Sequence, residues 1–294
     1  MQLINRPYRL MTTAALLLVG LIVSLFVFAV FHQTSYARAL TEEAAAPVTA
    51  VTTVIYVDHA APGPTHDGAS WDTAYVTVQE ALAVATAGSE IWVAAGVYYP
   101  DEGGSYANND INASFALKNN VALYGGFAAF ESVREDRDWL QNLTVLSGDL
   151  EQNDNPDTGA IKSSPSATAL VGSNAYQVVT ALNVDDTAIL DGFVVTGGKS
   201  NGTYVLPCST ACGAGINLNT SSPTLRNLTI AGNFAKYHGA AIAAIDATIN
   251  LEDSVIRANY AENSGGAVYL RKSGGTIQDV VFSGSRSTNR GGAR

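Results

Sequence analysis

A stretch of 26 residues, GAAIAAIDATINLEDSVIRANYAENS at positions 239–264, has matching copies on both sides of it. The preceding copy begins at Gly213, and the following copies begin at Gly265 and Gly291. Three further columns run in phase with these glycines: Leu225, Leu251 and Ile277; Ile230, Ile256 and Phe282; and Asn233, Asn259 and Ser285. Self-similarity at a fixed period of this length indicates a repeat architecture.

An earlier copy begins at Leu190, which precedes Leu225 by 35 residues, nine more than the repeat period. The loop that contains the two cysteines lies in this interval and accounts for the extra nine residues. We therefore expect Leu190 to align with Leu225 in spite of the longer spacing.

Each repeat is too short to fold alone and holds short strands, such as 248–251 and 267–270, without helical periodicity. A lone repeat buries its apolar face only by stacking on its neighbours. Stacking would place residue i over residue i+26 at about 4.8 Å, with aliphatic columns inside and parallel sheets between repeats. The sequence thus predicts an all-β fold, a right-handed parallel β-helix with 26-residue coils, over 115–294. The last copy stops midway at Arg294, so we expect this chain to be truncated.

Two local signals refine this prediction. The Gly-Gly-Ala columns predict a bend at which a side chain would collide with its neighbours. The Asn233 column predicts a turn, where a short polar side chain satisfies backbone groups and stacks on its copy.

The region 54–114 reads as an N-terminal cap with one amphipathic helix over 76–87. Val78, Ala81, Leu82 and Ala85 form its apolar stripe, and Gly88 occupies the place of a C′ glycine. A stack of coils has an open end with unpaired strand edges that needs a covering element. We expect the helix to be this cap; the alternative is a surface helix on a separate small domain.

The N-terminus has the pattern of an export signal. Arg6 and Arg9 precede an apolar run at 14–31, and Ala37-Arg38-Ala39 resembles a cleavage site. Residues 1–39 are therefore either a cleaved signal peptide or an uncleaved membrane anchor, which would be the only membrane contact. Residues 40–53 read as a flexible spacer. Both alternatives place the remainder outside the cytoplasm, as an extracellular or cell-surface protein.

Cys208 and Cys212 are the two cysteines of the chain. In an oxidising compartment, a pair this close in sequence predicts a small loop-closing disulfide. The alternative is half of a metal site, for which His238 is the histidine nearest in sequence.

The charge excludes one class of partner. The formal net charge is −10, and cleavage after Ala39 would remove three arginines and no acidic residue, giving −13. Nucleic acid binding needs clustered Lys and Arg, so we expect no nucleic acid partner. We expect the protein to be a monomer.

Several motifs resemble a known group of proteins. Ile55-Tyr-Val-Asp58, Gly68-Ala-Ser-Trp71, Gly88-Ser-Glu-Ile-Trp-Val-Ala94 and Tyr124-Gly-Gly-Phe127 resemble the N-terminal region of bacterial exported β-helix proteins of the pectin-lyase-like superfamily. The Gly-Gly-Ala repeats are similar to those of polymorphic outer membrane proteins. The resemblance implies the fold over nearly all of 54–294. It leaves function open, because the superfamily includes polysaccharide lyases, glycoside hydrolases and adhesins.

The densest group of oxygen ligands in the sequence lies at 149–157. It comprises Asp149, Glu151, Asn153, Asp154 and Asp157. The 1, 3, 5 spacing resembles a calcium loop but lacks the glycine and the distal glutamate of an EF-hand. It predicts either a Ca²⁺ site or a solvated acidic turn.

Other polar residues have simpler interpretations. Asp253 and Asp279, one repeat apart, either face water or share a cation. Glu252 beside Arg226 predicts a surface ion pair. Tyr237-His238 resembles a short hydrolase motif but fits a variable turn better.

Aromatic residues are frequent before residue 140; they are Trp71, Trp92, Tyr98, Tyr99, Tyr106, Tyr124 and Trp139. Most of them should pack the cap against the first coils, although exposed rings could stack on sugars.

The sequence contains no intact catalytic pattern for a lyase or a hydrolase. We therefore expect a non-catalytic β-helix that serves in adhesion or glycan binding, with extracellular polysaccharide or a host or cell-surface glycan as partner. The alternative is a polysaccharide lyase or glycoside hydrolase that acts on acidic polysaccharide. A third reading is a purely structural stalk.

Overall fold

The computed structural model of the chain describes residues 52–154, 170–205, 208, 210–289 and 291. All of these belong to one compact unit, Val51–Arg294. Outside the described ranges lie the predicted leader 1–39 with its apolar run 14–31, nearly all of the spacer 40–53, Asp157, and the last repeat residues Gly292 and Ala293.

The described residues form short strands and little helix. The first ten strands are β1 (Thr53–Val57), β2 (Ser89–Ala94), β3 (Gly96–Tyr98), β4 (Phe115–Ala116), β5 (Val121–Phe127), β6 (Thr144–Ser147), β7 (Val179–Leu182), β8 (Ile189–Asp191), β9 (Phe193–Thr196) and β10 (Lys199–Ser200). The strands of the repeats are β11 (Ile216–Asn219), β12 (Thr224–Arg226), β13 (Thr229–Ala231), β14 (Phe234–Ala235), β15 (Ile242–Ile245), β16 (Thr248–Glu252), β17 (Val255–Arg257), β18 (Tyr260–Ala261), β19 (Val268–Arg271), β20 (Gly274–Gln278), β21 (Val281–Ser283) and β22 (Arg286–Ser287). The helical elements are α1 (Val78–Val84) and two 3₁₀ turns, Trp71–Thr73 and Arg134–Asp136.

The strands assemble into four sheets. Sheet A has the order β1-β2-β5-β8-β12-β16-β20, sheet B β3-β6-β9-β13-β17-β21, sheet C β4-β7-β11-β15-β19 and sheet D β10-β14-β18-β22. Every pair of named strands is parallel. From β11 onward the chain passes through sheets C, A, B and D in turn and then begins again at sheet C. The all-β parallel architecture expected from the repeat is confirmed.

The alignment of the repeats is confirmed by the strand register. Leu225 pairs with Leu251, and Leu251 pairs with Ile277. Ile230, Ile256 and Phe282 pair in the same way in sheet B. Leu190 pairs with Leu225 despite the interval of 35 residues, so the insertion leaves the register intact.

The polar column lies inside the molecule, where its side chains bond to backbone groups. Asn233, Asn259 and Ser285 are all buried. The backbone N–H of Asn233 donates to Oδ1 of Asn259 at 3.1 Å, and the N–H of Asn259 donates to Oγ of Ser285 at 3.3 Å. The side chains of Asn259 and Ser285 therefore each accept a hydrogen bond from a backbone N–H of the preceding repeat. The sequence predicts this role for a short polar residue in a turn.

The bends between strands use left-handed backbone conformations. Gly213 has φ +66°, and a Cβ there would lie only 2.8 Å from the carbonyl oxygen of Ile216. Asn227, Asp253 and Asp279 form another such column, with φ between 45° and 53°. Asn and Asp tolerate this conformation better than most residues because their short side chains bond locally. Both aspartates are exposed, so the column faces solvent at these two positions.

The helix is shorter than the predicted 76–87. Thr77 is its N-cap, with a capping box to Glu80, and Ala85 at the C-cap turns extended at ψ 130°. Gly88 is therefore not the C′ residue; it lies in the turn before β2 with φ +89°.

The apolar stripe of α1 is buried as expected. Val78, Ala81 and Leu82 share one continuous core with Leu190 and Ile256, so the helix and the repeats pack on the same interior. The helix contacts β1, β2 and β4, and of these β1 and β4 are edge strands of sheets A and C.

Candidate functional site

The acidic turn after β6 uses its carboxylates as acceptors for backbone N–H groups. Asp149 accepts from Asn153 at 3.1 Å and from Asp154 at 2.8 Å. Asp154 accepts from the N–H of Val171 and, at 2.6 Å, from Nδ2 of Asn174. Burial raises the pKa of both aspartates, although these hydrogen bonds oppose the shift.

Glu151 is an exposed member of the same turn. Its carboxylate accepts from the N–H of Ser173 at 3.2 Å and from Nδ2 of Asn153 at 2.8 Å. Its pKa is lowered, first by the hydrogen bonds from Ser173. Hydrogen bonds within one turn thus connect four of the five predicted calcium ligands, but their acidic side chains do not converge on a common point. Asp157 lies outside the described residues.

No metal site is evident in the parts of the chain that the structure describes, since no three His, Cys, Asp or Glu side chains there are grouped to hold an ion. One buried oxygen near the turn does lack a partner among these residues, namely Oδ1 of Asn174. The calcium site at this turn therefore remains a prediction.

The disulfide between Cys208 and Cys212 is confirmed, with the two Cα atoms 5.7 Å apart. Cys208 and Cys212 pack with Ala243 and Ile245 of β15 in a small apolar cluster separate from the main core. Ala243 and Ile245 are fully buried. The inserted loop therefore covers part of sheet C on the side away from the main core.

An aromatic patch lies beside this loop. It consists of Tyr204, Tyr237, His238 and Tyr269. The His238 ring stacks on Tyr269 at 4.2 Å between centroids with planes 10° apart, and Tyr204 lies 4.9 Å from Tyr237. Tyr204 is 36% exposed, and the other three residues are partly exposed.

The His238 ring is partly desolvated. Its Nδ1 is buried and has no hydrogen-bond partner among the described residues. Burial lowers the pKa of His238, because desolvation disfavours the imidazolium form. The structure places His238 in a bridge between Cys212 and Ser264, as expected for a turn position within the repeats.

Sheet A contains a buried ion-pair network around Asp191 of β8. The sequence does not predict this network. Asp191 is 1% exposed and accepts from Nε of Arg226 at 2.6 Å, from Arg137 at 2.8 Å and from Nδ2 of Asn227 at 2.8 Å. The predicted surface pair of Arg226 with Glu252 is therefore wrong. Arg226 turns towards the preceding repeat, where a buried carboxylate needs compensation.

The N-terminal aromatic residues mostly pack, as predicted. Trp92, Tyr98 and Tyr124 are buried, and Trp92 stacks on Phe127 at 4.8 Å. Arg137 lies over the Tyr124 ring at 5.0 Å, which ties this aromatic cluster to the Asp191 network. Tyr106 is the most exposed of the seven, and Tyr99, whose pKa burial raises to about 12, is partly buried.

No family model, no curated protein and no solved structure matches the chain. Within the described residues, no helix is both long and apolar enough to cross a bilayer.

Proposed function

We propose that this chain is an exported right-handed parallel β-helix that binds glycans on its outer surface, in adhesion rather than in catalysis. The cyclic order of the sheets and the 26-residue register support one continuous coil. The contact of α1 with edge strands β1 and β4 supports its role as the cap of the first coil. The motif resemblance described above is the remaining support for this fold.

Export is supported by the disulfide, since such bonds persist in oxidising compartments. It is also supported by the positive residues and the apolar run of 1–39. We propose an extracellular or cell-surface location, with membrane attachment through 14–31 if the leader is retained.

The observation that carries the binding role is a polar grid on sheet A. In β12, β16 and β20 the residues that alternate with the inward Leu225 column are all polar: Thr224, Arg226, Asn250, Glu252, Thr276 and Gln278. Side chains in neighbouring strands are about 4.8 Å apart. A regular array of hydroxyl, amide and charged groups suits a hydroxyl-rich polymer, which can form many similar hydrogen bonds along it.

The test is to apply the purified protein to an array of neutral and acidic glycans, and in parallel to incubate it with uronans. We expect retention on the array without release of unsaturated product. Ultraviolet absorbance from a newly formed double bond would contradict the non-catalytic role and favour the lyase. An array without any retained glycan would contradict glycan binding and favour a structural stalk.

A further inference from the structure

We propose that Tyr204, Tyr237 and Tyr269, arranged around His238, form a stacking site for a neutral pyranose sugar. The inference rests on the proposed glycan-binding function and adds to the polar array of sheet A a stacking site beside sheet C. Tyrosine rings present apolar faces on which the C–H face of a sugar can pack, while their hydroxyls remain available for hydrogen bonds.

The rings form one connected surface. Tyr204 contacts Tyr237 at 4.9 Å and also meets His238 edge-on, with centroids 5.8 Å apart and planes at 82°. His238 in turn stacks on Tyr269. The patch thus brings together the inserted loop, the turn after β14 and β19. Its first and last residues, Tyr204 and Tyr269, are 65 positions apart in sequence.

These rings are not needed to fill the main core. The core is completed by inward side chains such as Ile216 and Ile242, and none of the four patch residues belongs to it. Each of the three tyrosines keeps part of its surface exposed. Tyr237 packs in part on the small cysteine cluster. Several large rings that keep exposed surface at one position are nevertheless characteristic of binding surfaces.

The patch is held in place before any ligand arrives. The backbone N–H of Tyr237 donates to the carbonyl oxygen of Ala211 at 3.2 Å, inside the cysteine loop. The N–H of Gly202 donates to Thr210 at 2.9 Å, and this contact ties the Tyr204 segment to the same loop. The disulfide closes that loop. A preformed surface loses little conformational entropy on binding.

Local charge favours a neutral ligand over a uronate. Lys236 lies over the Tyr237 ring at 5.8 Å, and Glu262 occupies the equivalent position one repeat later, so the two charges offset each other. Burial lowers the pKa of His238, so this ring adds no positive charge at neutral pH. The chain as a whole carries −10, which repels polyanions.

The experiment measures binding of cellohexaose, mannohexaose, chitohexaose and hexagalacturonate to the full chain by calorimetry. We expect at least one neutral hexasaccharide to bind and hexagalacturonate not to bind. Tyr237→Ala and Tyr269→Ala should each weaken binding about tenfold, which corresponds to about 1.4 kcal/mol, because each variant loses one ring contact. Tyr269→Phe should keep most of the affinity because it keeps the ring.

Two controls separate stacking from general damage. Tyr260→Ala removes a tyrosine that packs on Phe234 in sheet D, outside the patch, and should bind as the wild type does. Tyr204→Ala changes an exposed loop residue and should weaken binding without lowering the melting temperature. Reduction of the disulfide should likewise weaken binding, because it releases the loop that positions Tyr204.

The outcomes distinguish this site from the wider function. A neutral glycan that binds Tyr237→Ala and Tyr269→Ala as tightly as the wild type overturns the site while the proposed function stands. Binding of hexagalacturonate alone overturns the neutral class. If the wild type binds none of these probes and no glycan on the array, the proposed function itself falls, and this site falls with it.

Discussion

A single buried asparagine forms hydrogen bonds within its own repeat and to the preceding repeat. Oδ1 of Asn259 accepts from Asn233, while Nδ2 donates to the carbonyl oxygens of Ile230 and Arg257. Asn259→Ala would leave these buried groups without partners, at about 1–3 kcal/mol for each unsatisfied group. We expect a loss of about 3 kcal/mol in the free energy of unfolding, measured by urea denaturation.

Asn259→Ser is the informative companion, because Ser285 already fills this role in the next repeat. It should lose clearly less than Asn259→Ala, and the exposed Asn289→Ala should lose almost nothing. Equal losses for all three variants would contradict the assigned role of this column.

The pH dependence of stability should report on His238. Its folded pKa lies below the unfolded value of about 6.5, so its neutral form stabilises the fold above that pH. This stabilisation is lost as the pH falls through the folded pKa. As the pH falls from about 7 to about 5, the melting temperature of the wild type should therefore fall more than that of His238→Phe, which has no group that titrates at this position. A constant difference between the two proteins over this interval would contradict the prediction.

At the scale of the element, position along the sheet sets the cost of losing an aliphatic side chain. Leu251 is fully buried between two strands, whereas Ile277, its partner in the edge strand β20, is 40% exposed. Leu251→Ala should cost about 3 kcal/mol of unfolding free energy, and Ile277→Ala about 1 kcal/mol. Urea denaturation of both variants measures the difference, and similar costs would mean that the column is not buried as described.

The turn after β6 allows a direct test of calcium. An ion that binds the folded state stabilises it by an amount that rises with the logarithm of the free ion concentration above the Kd, so a site there predicts a higher melting temperature in Ca²⁺ than in chelator. Asp154→Asn should reduce this rise, because the variant loses one charged ligand beside the unpartnered oxygen of Asn174. An identical melting temperature in both buffers would leave a solvated acidic turn as the better description.

The elements that sequence reasoning predicts well are those that repeat. A period of 26 residues states directly which side chains share a column, and even the offset of Leu190 follows once the inserted loop is counted. The end of the helix is harder to predict from the sequence, because neither Ala85 nor Thr86 is a residue type that prevents a further helical turn. Only the extended backbone at Ala85 ends α1.

The contacts that sequence reasoning misses have no period. Arg137 reaches Asp191 from 54 residues away, through a segment that occurs once. Tyr204 joins Tyr237 because an insertion folds back over sheet C, and no pattern in the sequence indicates that return. The two cysteines are the one available signal for this contact. A loop closed by a disulfide is compact, so it packs against a neighbouring surface, here β15 of sheet C.

At the scale of the whole molecule, the proposed β-helix makes a prediction about deletions. Removing residues 239–264 takes out one complete repeat and brings Leu225 into register with Ile277 in the shortened chain. Because stability in such arrays is close to a sum over neighbouring repeats, the protein should still unfold cooperatively, with a lower midpoint. Removing only 239–263 instead brings Leu225 opposite Thr276, and a one-residue slip turns inward side chains outward. This variant should lose its cooperative transition in urea, as followed by circular dichroism, and two equally stable deletions would rule out columns of stacked coils as the basis of the fold.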